Sequence, residues 1–264
     1  MRLPSPAATI VSTLFVLTLL AALALPDTAA AMTGRELMKK VREENSSETQ
    51  LSQIKMTLID KKGRTQERAV KIYAEQVGDV ENSLLRFMAP KRIKGISFLV
   101  INEDEDSKRY LYLPRQKKTR LVPEGDNHKS FQGTDFTYYD LSPHDVDTDN
   151  YEPLTSDRYD GHDTWVCTTF PKPGTGSPYG KIVQWIRKDI YVPVKIDFYD
   201  EKGKLLKVSR AMQLKKIDTY WTPIVTEMHN VQIDHKTVMT IEKIKYDVDI
   251  PSKVFSKSNL EQGG

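Results

Sequence analysis

Residues 54–74 read IKMTLIDKKGRTQERAVKIYA, and the pattern within this stretch predicts the fold. In its first half apolar and polar side chains alternate: Ile54, Met56 and Leu58 against Lys55 and Thr57. A two-residue period is typical of a β-strand with one buried face. Residues 60–63, Asp-Lys-Lys-Gly, are typical of a tight turn, because glycine adopts a positive φ without strain. Val70 and Ile72 then resume the alternation, so the stretch predicts an antiparallel hairpin.

The same alternation continues along most of the chain, in runs separated by polar turns. Further strands are predicted at residues 83–88, 96–101, 108–113, 119–122, 164–170, 181–187, 192–199, 204–211, 223–232 and 237–246. The sequence Asp-Glu-Lys-Gly at 200–203 repeats the turn chemistry of residues 60–63. Regular spacing of about eight to twelve residues predicts an all-β sheet or barrel, here of about eleven strands.

Two segments are predicted to be helical or irregular. Thr33 and Glu36 have the spacing of a capping box, which predicts a short amphipathic helix over about residues 34–44 that closes one end of the sheet. Residues 123–153 break the strand rhythm but contain large apolar groups: Phe131, Phe136, Tyr138, Tyr139 and Leu141. A solvated linker would not contain so many, so we expect short helices or an ordered flap folded over the sheet. Phe255 and Leu260 predict that the segment after Pro251 docks on the domain.

The N-terminus has the layout of a secretory signal peptide. Arg2 precedes an apolar run at residues 7–25, and Pro26 and three alanines at 29–31 follow it, which predicts cleavage after Ala31. The alternative is an uncleaved membrane anchor, because the run is about long enough to span a bilayer. No cysteine follows the run, so we expect an unlipidated protein outside the cytoplasm. That compartment argues against ATP-driven chemistry, nicotinamide redox and nucleic-acid binding.

Composition gives no sign of a polybasic or disulfide-bonded protein. The formal net charge is +3, and charged residues of both signs make up 28% of the chain. Cys167 is the only cysteine, so an intramolecular disulfide is impossible. Its alternating strand context predicts a small buried residue, with an intermolecular disulfide or a reactive thiol as the alternatives.

Catalytic and metal-binding patterns are weak throughout the sequence. None of the histidines, at positions 128, 144, 162, 229 and 235, pairs at helical spacing with another, so we predict no metal site. No G-x-S-x-G motif is present, and we predict no catalytic residue and no cofactor. Paired carboxylates of a glycosidase remain the enzymatic alternative.

Strand parity places an excess of bulky apolar side chains on one face of the predicted sheet. We assign to this face Ile54, Met56, Leu58, Val70, Ile72, Leu85, Phe87, Phe98, Val100, Tyr110 and Tyr112, with Phe131, Phe136 and Tyr138 of the flap as a lid. The sides of Phe98 and Tyr110 could be reversed, because Leu99, Ile101, Leu111 and Leu113 compete for the same face. The face is either an ordinary core or the wall of a cavity for acyl chains, where each buried methylene contributes about 0.8 kcal/mol.

Two basic clusters flank strands in the first half of the chain. One contains Lys91, Arg92 and Lys94, and the other contains Arg115, Lys117, Lys118 and Arg120. They are either solvated loop charges or a rim that meets acidic lipid headgroups or an acidic partner.

Residues 86–141 contain a series of short motifs in a characteristic order. These are Arg86-Phe87 with Pro90, Lys94-Gly95 with Phe98-Leu99, Tyr112-Leu113-Pro114, Lys117 to Arg120, and residues 130–136 (SFQGTDF) ending at Asp140-Leu141. Later motifs are Pro171-Lys172, Trp185-Ile186, Tyr199-Asp200 with Gly203-Lys204-Leu205, and residues 220–223 (YWTP). Together they resemble the outer-membrane lipoprotein-sorting protein family, whose fold is like that of the periplasmic LolA and LolB carriers.

The resemblance implies a fold and a function for residues 32–264 as one domain. The fold is mainly β, an unclosed antiparallel half-barrel of about eleven strands with short helices over its concave face. The implied function is carriage of lipid or lipoprotein acyl chains through the periplasm, with transient membrane-surface contact and an inner-membrane exporter of the resistance-nodulation-division type as partner. The alternative is an interaction module that docks on an envelope transporter and carries nothing.

Overall fold

The computed structural model describes Met1 and residues 32–78, 80–103 and 106–262. The predicted signal segment, apart from Met1, lies outside the described residues. The chain divides into Met1–Ala31 and Met32–Gly264, and all the features below belong to the second unit. Within the described ranges, no helix is long and apolar enough to cross a membrane.

The described residues form one antiparallel sheet of 14 strands. The strands are β1 (Thr49–Ile59), β2 (Thr65–Val77), β3 (Val80–Ala89), β4 (Ser97–Glu103), β5 (Asp106–Leu113), β6 (Lys118–Leu121), β7 (Asp149–Tyr151), β8 (Thr155–Tyr159), β9 (His162–Pro171), β10 (Lys181–Arg187), β11 (Pro193–Tyr199), β12 (Leu205–Ile217), β13 (Tyr220–Asn230) and β14 (His235–Tyr246).

The strand order shows a sheet that does not close on itself. It runs β6-β5-β4-β3-β2-β1-β14-β13-β12-β11-β10-β9-β7, and β8 also pairs with β9. The first strand therefore pairs with the last, and that pair joins the two halves of the sheet. The prediction of a mainly β, unclosed antiparallel half-barrel is confirmed.

The strand count exceeds the predicted eleven because short polar strands give no alternation signal. The three-residue strand β7 lies inside the predicted flap. Strand β8 has the sequence TSDRY and four exposed residues out of five, so it lacks an apolar face that a pattern could reveal.

Two turns repeat one arrangement at the same end of the sheet. The Asp60 carboxylate accepts hydrogen bonds from the backbone N–H of Lys62 (2.9 Å) and Arg64 (3.1 Å), and Gly63 has φ 75°. The Asp200 carboxylate accepts from the N–H of Lys202 and Lys204 in the same way, and Gly203 has φ 74°. Both predicted turns are confirmed.

The helix α1 (Gly34–Asn45) begins at the predicted capping box. The Thr33 hydroxyl accepts from the backbone N–H of Glu36, and the Glu36 carboxylate accepts from the backbone N–H of Thr33. Leu37 packs against Cys167 and Ile186, so the helix covers the concave face over β9 and β10. Gly34 is required there, because a Cβ at this position would lie 2.8 Å from the ring of Tyr151.

The C-terminal segment covers the opposite, convex face. A 3₁₀ turn, Ser252–Phe255, precedes the helix α2 (Lys257–Gln262). Phe255 and Leu260 are buried against Leu84 and Leu99 of β3 and β4. The docking predicted from these two apolar residues is therefore observed.

Candidate functional site

The concave face contains most of the residues predicted to line a cavity. The buried members are Ile54, Met56, Leu58, Val70, Leu85, Phe87, Phe98 and Val100, and the partly buried Ile72 packs against them. Strand register explains the grouping, because Leu85 pairs with Phe98 and Phe98 pairs with Leu111 across β3, β4 and β5. Residues directly opposite each other in a sheet share a face.

Tyr110 and Tyr112 lie on the other face, contrary to the predicted parity. Tyr110 pairs with Leu99, and both belong to the convex cluster beneath the C-terminal segment. Leu111 and Leu113 occupy the concave face in their place. The sequence RYLYL alternates equally well in either phase, since both sets are apolar and both faces of β5 are covered.

The flap, residues 123–153, fills the concave face over β1 to β6. The Phe131 side chain is fully buried, with its ring centroid 5.6 Å from that of Phe87 and 5.5 Å from that of Phe98. The Tyr138 ring lies 5.3 Å from that of Phe98. The side chains that we predicted as a cavity wall are therefore in contact with the chain's own aromatic groups.

Phe136 belongs to a second cluster on the same face. It packs with Tyr139, Tyr179, Phe198 and Met228, which come from the flap, the loop before β10, and strands β11 and β13. The flap thus spans from the first half of the sheet to the second.

A buried ion pair holds the flap to strand β12. The Lys207 Nζ lies 2.5 Å from the Asp140 carboxylate, and the two side chains are 2% and 7% exposed. Tyr179 donates its hydroxyl to the same carboxylate at 2.7 Å, and Lys207 also donates to the Asp135 carbonyl at 3.1 Å. Burial lowers the pKa of Lys207, against the opposing effect of Asp140. Burial and the neighbouring Asp140 raise the pKa of Tyr179 well above its usual value.

Two further polar contacts fix the flap to the sheet. The Asp135 carboxylate accepts a hydrogen bond from the Thr237 hydroxyl at 2.7 Å and lies 2.8 Å from the His235 Nδ1. Arg68 donates to the carbonyl of Gln132 at 2.7 Å. Directional contacts of this kind determine one position for the flap, which apolar packing alone does not.

A cavity of about 390 Å³ lies between α1 and the concave face of β1, β14 and β13. Its apolar wall consists of Val41, Val192, Pro193, Trp221, Pro223, Ile241 and Ile244. The remaining lining residues, Asn45, Gln50, Thr222 and Tyr246, are polar and uncharged. Thr222 and Tyr246 satisfy each other through a 2.8 Å hydrogen bond between their hydroxyl groups.

The predicted basic rim lies at the end of the sheet away from this cavity. Arg115, Lys117 and Lys118 occupy the turn between β5 and β6, with Arg120 following in β6. The cavity, in contrast, is lined by the start of β1 and the end of β14. The predicted basic rim and the cavity therefore lie at opposite ends of the strands.

The remaining reactive groups form no second site in the described part of the chain. No group of His, Cys, Asp or Glu side chains that could hold a metal ion occurs there. Cys167 is buried beneath α1, and burial raises the pKa of its thiol to about 12. The thiol is therefore protonated at neutral pH, and thiols react far more slowly than thiolates.

Sequence reasoning missed the cavity residues and the Lys207–Asp140 pair. The sequence alone places Trp221 and Pro223 in a short motif, and Ile244 and Tyr246 at the end of a strand, with no sign of a cavity. One signal was available for Lys207: Leu205-Leu206-Lys207-Val208 places a lysine inside an apolar strand, where a buried charge requires a partner.

Comparisons with known proteins agree with this fold. A family model with the description "-like: Uncharacterized protein" matches residues 79–262. A putative outer membrane lipoprotein-sorting protein domain from Vibrio parahaemolyticus is 25% identical with a TM-score of 0.80, over 86% of this chain and 98% of that one. A DUF1329 family protein from Desulfovibrio piger is 27% identical with a TM-score of 0.81, over 86% and 97% of the two chains.

A third solved structure supports the fold alone. A LolA superfamily protein from Nitrosomonas europaea is 17% identical with a TM-score of 0.69, over 87% of this chain and 100% of that one. No curated protein matches the sequence.

Proposed function

We propose that this protein is a periplasmic carrier of lipid or lipoprotein acyl chains. The chain belongs to the LolA/LolB-like outer-membrane lipoprotein-sorting family, whose fold it shares. The acyl chain occupies the cavity beneath α1. Binding is non-covalent and requires neither a cofactor nor a catalytic residue.

The observation that carries this proposal is the chemistry of the cavity lining. Its wall is mostly aliphatic or aromatic, and its polar members are uncharged. A hydrocarbon chain gains about 0.8 kcal/mol for each methylene it buries there. A charged group would lose its hydration without gaining a partner. The cavity therefore selects the hydrocarbon part of a lipid and leaves its headgroup outside.

The flap acts as a lid, and its opening enlarges the space available to cargo. Phe131, Phe136 and Tyr138 occupy the apolar face that longer or multiple acyl chains would need. Displacing them would expose the predicted lining residues, among them Phe87 and Phe98, to the cargo. Affinity that rests on apolar contact has little directional preference, which suits transfer from one protein to the next.

A binding titration with a dansyl-labelled fatty acid tests the carrier function. The unmodified protein is expected to enhance dansyl fluorescence saturably. Ile244→Asp places a carboxylate in the cavity wall and should weaken binding at least about tenfold, since burying that charge costs more than 1.4 kcal/mol. Ile233→Asp is the matched control, because Ile233 is 61% exposed in the turn between β13 and β14.

The titration distinguishes a loss of acyl binding at the cavity from a general change in the protein. Unmodified protein that leaves the dansyl signal unchanged would contradict acyl binding outright. Equal loss in both variants would assign the effect to a general change in the protein, and circular dichroism spectra of each variant would detect that change.

The second candidate is an interaction module that carries nothing and docks on an envelope transporter. The filled concave face beneath Phe131 favours it, because a permanently closed flap would leave little room for cargo. An exporter of the resistance-nodulation-division type is the partner we propose in either case. Site-specific crosslinking in cells from the surface of the domain would identify that exporter.

A further inference from the structure

Many basic residues lie in the turns at one end of the half-barrel. The β1–β2, β3–β4, β5–β6, β11–β12 and β13–β14 connections all emerge there, as the antiparallel order requires. We define the turn end as residues 60–64, 90–96, 114–118, 200–204 and 231–234. Its exposed basic residues are Lys61, Lys62, Arg64, Lys91, Arg92, Lys94, Arg115, Lys117, Lys118, Lys202 and Lys204.

The acidic residues of the turn end are fewer and mostly engaged locally. Asp60 binds Arg64 at 2.6 Å, and Asp200 accepts from the backbone of its own turn and from Gln232 at 3.0 Å. Asp234 lies 3.1 Å from His229, and Glu201 is the remaining exposed carboxylate. The field at this end is therefore positive although the chain as a whole has a net charge of only +3.

Exposed aliphatic side chains stand between the basic turns. Val231 and Ile233, in the β13–β14 turn, are 36% and 61% exposed. The β1–β2 turn lies on one side of them, since Ile59 pairs with Lys236. The β11–β12 turn lies on the other, where Gln232 donates to Asp200.

The geometry points to an anionic lipid surface as the partner of the turn end. Lysines around exposed aliphatic side chains match a membrane interface, where ammonium groups meet lipid phosphates and apolar side chains enter the acyl boundary. An acidic protein surface would match the charges alone and would leave Val231 and Ile233 unexplained.

This inference rests on the proposed function and adds an orientation to it. The cavity beneath α1 lies at the other end of the strands, near Gln50 and Tyr246. A molecule docked through the turn end therefore holds its cavity away from the lipid surface. Cargo exchange then takes place with a second protein while the carrier remains at the membrane.

Vesicle co-sedimentation tests the docking surface. We expect binding to phosphatidylcholine vesicles that contain phosphatidylglycerol, no binding to phosphatidylcholine alone, and weaker binding as salt increases. Lys61→Gln with Lys62→Gln should weaken partitioning about thirty-fold, the factor that two basic residues contribute at such a surface. The matched control is Lys215→Gln with Lys216→Gln, an exposed pair at the far end of β12.

Ile233→Asp and Ile244→Asp separate docking from carriage. Ile233→Asp should reduce vesicle binding and leave binding of the dansyl-labelled fatty acid unchanged, while Ile244→Asp should do the reverse. Failure of the unmodified protein to bind anionic vesicles would overturn the docking proposal and leave the carrier intact. Equal loss from the Lys215/Lys216 control, or equal binding to neutral vesicles, would also overturn it.

Discussion

At the scale of single residues, the most consequential contact is a buried charge that no strand pattern predicts. Lys207 lies on the concave face, directly opposite Phe198, at a position where alternation would predict an apolar side chain. Its ammonium group is stabilised by Asp140, a flap residue 67 positions away in the sequence. Sequence alone cannot supply such a partner, because the pairing depends on how the flap crosses the sheet.

Lys207→Met is predicted to destabilise the protein by about 3 kcal/mol or more, because it leaves the Asp140 carboxylate buried without its cation. Asp140→Asn should cost a comparable amount by leaving the ammonium group unpaired. The double variant should lose less than the sum of the two, since neither charge then remains. Urea denaturation of the four proteins measures this coupling. Strictly additive losses would show that the pair contributes nothing to the flap's attachment.

At the scale of elements, predictions succeeded where one face alone is apolar and failed where both are. The β1–β2 hairpin and helix α1 follow from local patterns, namely alternation, an Asp-x-x-Gly turn and a capping box. The phase predicted for strand β5 is wrong, because Tyr110 and Leu111 compete equally for burial. The cavity is not predicted because its wall combines α1, the start of β13 and the end of β14, which come together only through long-range strand pairing and the packing of α1 on the sheet.

The flap is held by packing as well as by polar contacts, and Phe131 is its central residue. Phe131→Ala should lower the free energy of unfolding by about 3–5 kcal/mol, because it removes a fully buried ring that contacts Phe87 and Phe98. Phe170→Ala is the matched control, since Phe170 is 36% exposed on β9 and its loss should change stability by less than about 0.5 kcal/mol. Urea denaturation gives the change in unfolding free energy of each variant, from the shift in its midpoint at an unchanged m-value. Similar midpoints for the two variants would contradict a packed flap.

At the scale of the whole molecule, the sheet is covered on both faces by segments from different parts of the chain. The flap and α1 cover the concave face, and the C-terminal segment covers the convex face over β3 to β5. Because β1 pairs with β14, the two halves of the sheet share one continuous hydrogen-bonded ladder. We therefore expect damage in one half of the sheet to be transmitted to the other.

Leu260→Ala tests this cooperativity. Leu260 is fully buried against the first half of the sheet. The second half contains all three tryptophans of the sequence, Trp165, Trp185 and Trp221. The substitution should cost about 2–5 kcal/mol. If the sheet unfolds as one unit, tryptophan fluorescence and circular dichroism should report the same lowered urea midpoint. Leu121→Ala, at a site 55% exposed, should leave both midpoints in place. A lowered dichroism midpoint with an unchanged tryptophan midpoint would mean that the halves unfold separately, and the flap that bridges them would then be the weaker connection.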